Sequence, residues 1–224
     1  MPDKRARARE LAAEYIRKGD PTGWFDALYR EAETGGAPVP WGDLEVNSQL
    51  IEFWQAHPIE TAGKQALVIG SGLGDDAEQL AAWGFKTTGI DISKTAVDAA
   101  KKRFPRTVVE YVVADIFNPP PALLNAFDFV LEIFTVQSFP SQFQPKVIES
   151  IPRFLKPGGQ LLVIARGRDD DEPEVQGPPW PVKRSALDAF SRAGLKEVSF
   201  EDLRDPEPPW VRRFRVLYRR PASS

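Results

Sequence analysis

Residues 65–76 read Gln-Ala-Leu-Val-Ile-Gly-Ser-Gly-Leu-Gly-Asp-Asp, an apolar run that ends in Gly70, Gly72 and Gly74. Asp91 closes a second apolar run about 20 residues further on, the spacing of a nucleotide-binding strand–helix–strand unit. Periodicity alone does not separate the first run from a buried helix, but its short length and terminal glycines favour a buried parallel strand. The glycines let the backbone turn sharply and approach a ligand with no Cβ in the way. Asp91, ending the next strand, can accept hydrogen bonds from a ribose diol.

The glycine spacing separates two ligand classes. A dinucleotide fingerprint needs its third glycine at position 75, which is Asp75 here. A pyrophosphate would then meet a carboxylate at a helix N-terminus that otherwise favours anions. Three alternate glycines followed by Asp75 and Asp76 suit a ligand without phosphate and with a positive charge. S-adenosylmethionine, with adenosine, a sulfonium and an amino acid, is such a ligand.

Working outward, the chain from Lys64 onward alternates strand and helix, the pattern of a parallel sheet covered on both faces. Strands are expected near 65–70, 86–91, 109–113, 127–132 and 159–165, and helices near 75–83, 93–103, 143–154 and 184–193. Glu197–Leu203 and Trp210–Arg219 read as two further strands, joined by the turn 205–209 and so able to pair antiparallel. Before Lys64, three helices are expected. The first covers residues 4–18, with Lys4, Arg5, Arg7 and Arg9 as a solvated basic face. The second is opened by Asp20-Pro21 as cap and first-turn proline, and carries Trp24, Phe25, Leu28 and Tyr29. The third spans about 46–57 and stops before Pro58.

Composition narrows the chemistry. The 224 residues suit one large domain, or one domain with an added segment, and 42% hydrophobic content supports a sizeable core. A net charge of −3, from 29 Lys+Arg and 32 Asp+Glu, argues against nucleic acid as the main partner. There is no cysteine and His57 is the only histidine, so thiolate nucleophiles, disulfides and histidine metal clusters are excluded, and no metal is expected. The N-terminus lacks an apolar signal region and no apolar stretch is long enough to cross a bilayer, so a soluble cytoplasmic protein without a membrane partner is expected.

Three more segments fall in order after the glycine loop: Val113-Ala114-Asp115-Ile116, then Asp128 to Phe134 with Glu132 near its end, then Phe154-Leu155-Lys156-Pro157-Gly158-Gly159. With the loop and Asp91, this series resembles class I S-adenosylmethionine-dependent methyltransferases. Pro40-Trp41-Gly42 and Gly177-Pro178-Pro179-Trp180-Pro181-Val182 are similar to segments of the thiopurine, thiol and halide S-methyltransferase group. The resemblance implies a Rossmann-like, doubly wound α/β fold, with a mostly parallel seven-stranded sheet ending in an antiparallel pair. It implies an N-terminal helical lid over residues 1–60 and a cofactor-binding domain over 61–224, as one compact unit.

On this resemblance, S-adenosylmethionine, leaving as S-adenosylhomocysteine, is held by Trp41, Gly70, Ser71, Gly72, Gly74, Asp91, Ile92, Ala114, Asp115, Ile116, Glu132 and Ile133. Asp115 and its neighbours meet the adenine, and Glu132 lies beside the sulfonium or substrate as the candidate catalytic residue. Trp24, Phe25, Arg166 and Trp180 are the candidate substrate residues. The family usually has an acid where this chain has Val68, which leaves the amino-acid end of the cofactor to Asp75, Asp76 or backbone groups.

Each residue also has a plainer explanation. Asp91 can cap the helix near Ser93, Asp115 can start a turn with Asn118-Pro119, and Arg166 and Arg168 can pair with Asp169, Asp170 and Asp171. The expected activity is methyl transfer to a small molecule, a thiol or other soft nucleophile, since no histidine lies in the strand-end loops to serve as base. Alternatives are an O- or N-methyltransferase using Glu132 or an acid of Asp43–Glu45 as base, and a non-catalytic S-adenosylmethionine-binding protein. The oligomeric expectation is a monomer or homodimer.

Overall fold

A computed structural model describes residues 5–204 and 210–222. Lys4 and the expected turn at 205–209 lie outside the described residues. Three helices, α1 (Ala6–Arg17), α2 (Gly23–Glu33) and α3 (Ser48–Ala56), precede the first strand. Then follow β1 (Gln65–Ile69), α4 (Asp75–Ala82), β2 (Lys86–Asp91), α5 (Lys94–Arg103), β3 (Glu110–Val113), β4 (Phe127–Ile133), α6 (Gln144–Ser150) and β5 (Leu155–Arg168). The chain closes with β6 (Val182–Lys183), α7 (Arg184–Arg192), β7 (Lys196–Arg204) and β8 (Arg212–Arg219).

The sheet runs β3-β2-β1-β4-β5-β8-β7, with β6 pairing β5 off this path. Strands β1 to β5 are parallel, and β8 runs antiparallel to both β5 and β7. Strand order reverses between β1 and β4, so a crevice opens beyond their C-terminal ends. The sheet has one more strand than the expected seven, the two-residue β6. Such a short stretch carries no alternation to betray it.

Each face of the sheet buries its own cluster. Leu67, Ile69, Val130, Val163 and Phe214 pack on one side, and Ala66, Val68, Phe129, Leu131 and Leu162 on the other. That division is the period-two alternation of neighbouring strands. Val68 is thus a core residue, which accounts for its side chain without a ligand. A third cluster joins α1 and α2 through Ala8, Leu11, Trp24 and Leu28 to Trp180 of the segment after β5.

Several local departures have identifiable causes. α2 begins at Gly23, two residues later than expected, because Asp20 Oδ1 accepts from the amides of both Thr22 and Gly23, with Pro21 in the bend that follows Asp20. The expected helix at 143–154 ends in a tighter turn at Ile151–Phe154, and β5 starts at once at Leu155. β5 therefore includes the Pro157-Gly158-Gly159 bend, where its pairing with β4 shifts register between Phe127 and Phe129. α5 conforms closely to capping rules: Ser93 Oγ accepts from Ala96 N, and Lys101, Lys102 and Arg103 sit in the last turn. His57 is the C-cap of α3, stacked on Phe53.

Candidate active site

The ends of β1, β2, β3, β4 and β5 surround a cavity of about 420 Å³, closed over by residues of α1, α2 and the 40–48 segment. Its floor is the loop after β1. Gly70, Gly72 and Gly74 have φ of 63°, 52° and 98°, a region that L side chains rarely adopt. A Cβ on Gly70 would lie 2.5 Å from Thr135 Oγ1, and one on Gly72 would lie 2.9 Å from the Tyr29 hydroxyl. One on Gly74 would collide with the Tyr111 hydroxyl, so this third glycine also serves packing between α4 and β3.

Asp91 ties the loop to the next strand. Its Oδ2 accepts from Gly72 N at 2.9 Å and its Oδ1 from Ser93 N at 2.8 Å. Burial pushes its carboxyl up to about 6, against the opposing pull of those two amides. Each oxygen retains a lone pair for a further donor. The N-cap of α5 is Ser93 and not Asp91, and Asp91 lines the cavity instead. One turn away, Asp26 Oδ1 accepts from Ser93 Oγ at 2.8 Å and Thr95 N at 3.1 Å, which clamps α2 to the start of α5.

Of the two acids after the glycines, Asp75 is engaged by Arg103 through two contacts of 2.8 Å, and Arg103 also donates to Leu73 O. Asp76 Oδ1 accepts from Asn47 N at 2.8 Å, and burial raises its carboxyl to about 6. Both therefore anchor structure while lining the cavity. Asp115 starts the expected turn, since its Oδ1 accepts from Phe117 N at 2.8 Å and its carbonyl accepts from Asn118 N, and it also lines the cavity.

Trp41, Gly70, Ser71, Gly72, Gly74, Asp91, Ile92, Ala114, Asp115, Ile116 and Ile133 all line this one cavity, as do Phe25 and Arg166. Glu132 does not. It is fully buried, and its Oε1 accepts from Thr135 N at 2.6 Å and Val136 N at 2.9 Å. Burial pushes this carboxyl up to about 7, and Oε2 has no partner among the described residues. Glu132 stands behind the wall and holds the turn that forms it. Trp24 and Trp180 are likewise off the cavity, buried together in the cluster beneath α1 and α2. Their neighbours reach it instead: Phe25 lies tilted against Trp24 with ring centroids 4.1 Å apart, and Pro178 and Pro179 line the wall beside Trp180.

Sequence reasoning assigned no site role to Tyr29, Thr135, Gln137, Phe139 or Arg213, all of which line the cavity. Tyr29 is buried against the glycine loop, and its hydroxyl accepts from Trp41 Nε1 at 3.0 Å. Burial and the nearby Asp91 charge raise its phenol far above the ordinary range. Its spacing from Trp24 on one helix marks only an apolar face, so the hydroxyl's target was not readable. Arg168, by contrast, is buried and held by Glu172 O, Pro173 O and Glu174, away from the cavity. No group of histidines, cysteines and acids suited to a metal occurs among the described residues, and no described helix is long and apolar enough to cross a membrane.

Residues 67–163 match a family described as a methyltransferase domain. Probable thiol methyltransferase 2 of Arabidopsis thaliana is 28% identical over 193 residues, which cover 80% of this chain and 81% of that protein. Thiopurine S-methyltransferase of Vibrio atlanticus (strain LGP32) is 24% identical over 183 residues, covering 75% and 82%. Among solved structures, one described as "Conversion of a Disulfide Bond into a Thioacetal Group during Echinomycin Biosynthesis" superposes with a TM-score of 0.73 at 22% identity, over 91% of this chain and 93% of that one. That likeness carries the fold.

Proposed function

We propose that this chain, a class I S-adenosylmethionine-dependent methyltransferase of the thiol methyltransferase group, methylates a small thiol or similarly soft nucleophile. The cavity suits the cofactor on observations independent of relatives. Ser71 Oγ is buried without a partner among the described residues, and three left-handed glycines let the loop pack tightly against Thr135, Tyr29 and Tyr111 while its backbone lines the cavity. Asp91 would take the ribose hydroxyls, and Asp115 with Ala114 and Ile116 the adenine. Tyr29 and Trp41 would close over the cofactor from the helical segment. When bound, S-adenosylmethionine supplies a methyl group already activated by a sulfonium.

The protein's remaining task is to hold the acceptor in line with that methyl and to keep water out, and orientation of this kind lowers barriers by several kcal/mol. Phe25, Phe117 and Phe139 wall the space with aromatic faces, Phe25 lying 5.9 Å from Phe139 and Phe139 5.9 Å from Phe117. The observation that carries the acceptor class is the make-up of the β5 end. Gln137, Ser138, Arg166 and Arg213 line it, and no histidine or lysine is among the described lining residues. Guanidinium and amide donors stabilise an anion but remove no proton at neutral pH. A nucleophile that ionises by itself fits such a wall, whereas an alcohol or amine needs a base. We assign Glu132 the role of positioning residues 134–136, and residues 1–60 that of the lid.

Methyl-labelled S-adenosylmethionine incubated with the protein and a panel of thiols, phenols and amines tests this assignment. Label is expected in thioethers at rates well above those for phenols and amines. Label confined to phenol or amine products would contradict it and direct attention to Asp43 and Glu45, which also line the cavity.

A further inference from the structure

The wall of the cavity is divided by charge along the order of the sheet. Asp75 and Asp76 follow β1, Asp91 ends β2 and Asp115 follows β3. Two of the three lining arginines come from the other half, Arg166 from β5 and Arg213 from β8, and the third, Arg5, stands just before α1. Arg166 and Arg213 face each other across the antiparallel pair, in register. Arg213 is set over the Phe134 ring at 4.8 Å, a contact that holds its guanidinium against the mouth of β4. The acidic half suits a sulfonium; the basic half calls for a different explanation.

Gln137 supplies it. The residue follows β4, is 5% exposed and lines the cavity. Its Oε1 accepts from Arg166 N at 2.5 Å. Because a backbone N–H can only donate, that bond fixes which end of the amide is oxygen and turns Nε2 the other way. Nε2 has no protein partner among the described residues. The Gln137 main chain is fixed too: its carbonyl accepts from Trp180 N at 2.7 Å, and Trp180 O in turn accepts from Gln144 Nε2 at 2.9 Å. This amide donor, locked in orientation through Oε1 and lining the cavity, is placed to donate to an acceptor on a bound ligand.

We propose that Gln137 Nε2, with Arg166 and Arg213, forms an anion subsite that receives a carboxylate on the acceptor molecule. This deepens the thiol reading above and rests on its placing the acceptor at the β5 end. A carboxylate is planar and offers two oxygens, one for a guanidinium fork and one for an amide N–H. The acceptor is then a small mercapto acid: its carboxylate lies against β5 and β8, its body between Phe25 and Phe139, and its sulfur towards β1.

The test reads binding, not turnover. Benzoate and methyl benzoate are titrated calorimetrically into the full chain saturated with S-adenosylhomocysteine. Benzoate is expected to bind at least ~10-fold more tightly than its ester. Gln137→Glu keeps an acceptor for Arg166 N while replacing the donor by a negative charge. It is expected to abolish benzoate binding, leave methyl benzoate within about twofold and leave the melting temperature near that of the wild type. Equal affinity of the wild type for acid and ester would overturn the subsite, as would benzoate binding that survives in Gln137→Glu. Should that variant unfold, Arg166→Gln gives the same comparison, and retention of the ~10-fold preference would again overturn it. No thiol is present in these titrations, so their failure leaves the methylation of thiols standing, and failure to methylate thiols leaves the subsite standing.

Discussion

Asp91→Ala is expected to weaken S-adenosylmethionine binding by about 10- to 100-fold, because hydrogen bonds to a charged group are worth roughly 1.5–3 kcal/mol. The loss has two sources. The ribose hydroxyls lose their acceptor, and the amides of Gly72 and Ser93 lose theirs, at 2.9 and 2.8 Å. Since Gly72 lies in the glycine loop, its freed amide also loosens the backbone that would carry the cofactor. Asp91→Asn separates the two effects. Its single carbonyl oxygen can still serve one amide, and its NH2 group faces the other as a donor. Calorimetry on both variants should rank them wild type, Asn, Ala in affinity. Unchanged affinity in Asp91→Ala would mean that the ribose lies elsewhere.

The second large effect concerns Glu132, whose burial and bonding make it a support and not a proton acceptor for substrate. Glu132→Ala leaves the amides of Thr135 and Val136 without their carboxylate, at a cost of roughly 2–5 kcal/mol. It also releases the turn that carries Gln137 and Phe139, so activity should fall with stability. Glu132→Gln keeps an oxygen for both amides and should retain most of both. The pH dependence follows from the raised carboxyl, which titrates near 4.5 when unfolded and about 7 when folded. The folded protein holds the proton more tightly, so this contribution to stability is complete below about pH 4.5 and is lost as pH rises through about 7, roughly 3 kcal/mol in all. The melting temperature of the wild type should therefore fall relative to that of Glu132→Gln between pH 5 and 8. A Glu132→Gln protein that melts normally yet loses more than ~100-fold in kcat would establish Glu132 as a base instead.

The contrast between Asp91 and Glu132 marks how much the sequence discloses. Both are acids at strand ends, and both were expected at the ligand. Asp91 lies within one strand–helix–strand unit, where glycine spacing and strand length already determine geometry. The same local logic located the glycine loop and the antiparallel pair β7–β8, while the segment at Asp115 came from the family resemblance. Glu132 depends on how the chain turns after β4, and Phe134 takes a φ of 65° there, which no propensity foretells for a phenylalanine. That turn brings the carboxylate back to its own amides.

Tyr29 and Gln137 were missed for a related reason. Tyr29 meets Trp41 and the glycine loop only once α2 docks, and the docking is held by Asp26 reaching Ser93 across 67 positions of sequence. Gln137 meets Arg166 across 29. Polar contacts of such separation leave no periodicity. Trp24 errs in the opposite direction: its helical spacing with Leu28 signals a buried face, and the core took the tryptophan while Phe25 reached the cavity.

The central claim is that the acceptor ionises by itself and that no protein group takes its proton. The rate of methyl transfer, as kcat/KM against pH, measured for an aromatic thiol and an alkyl thiol of clearly different pKa, tests it most directly. The acid limb is expected to move with the pKa of the thiol, from one substrate to the other. A limb that stays at one pH for both thiols would report a base on the protein and contradict the account.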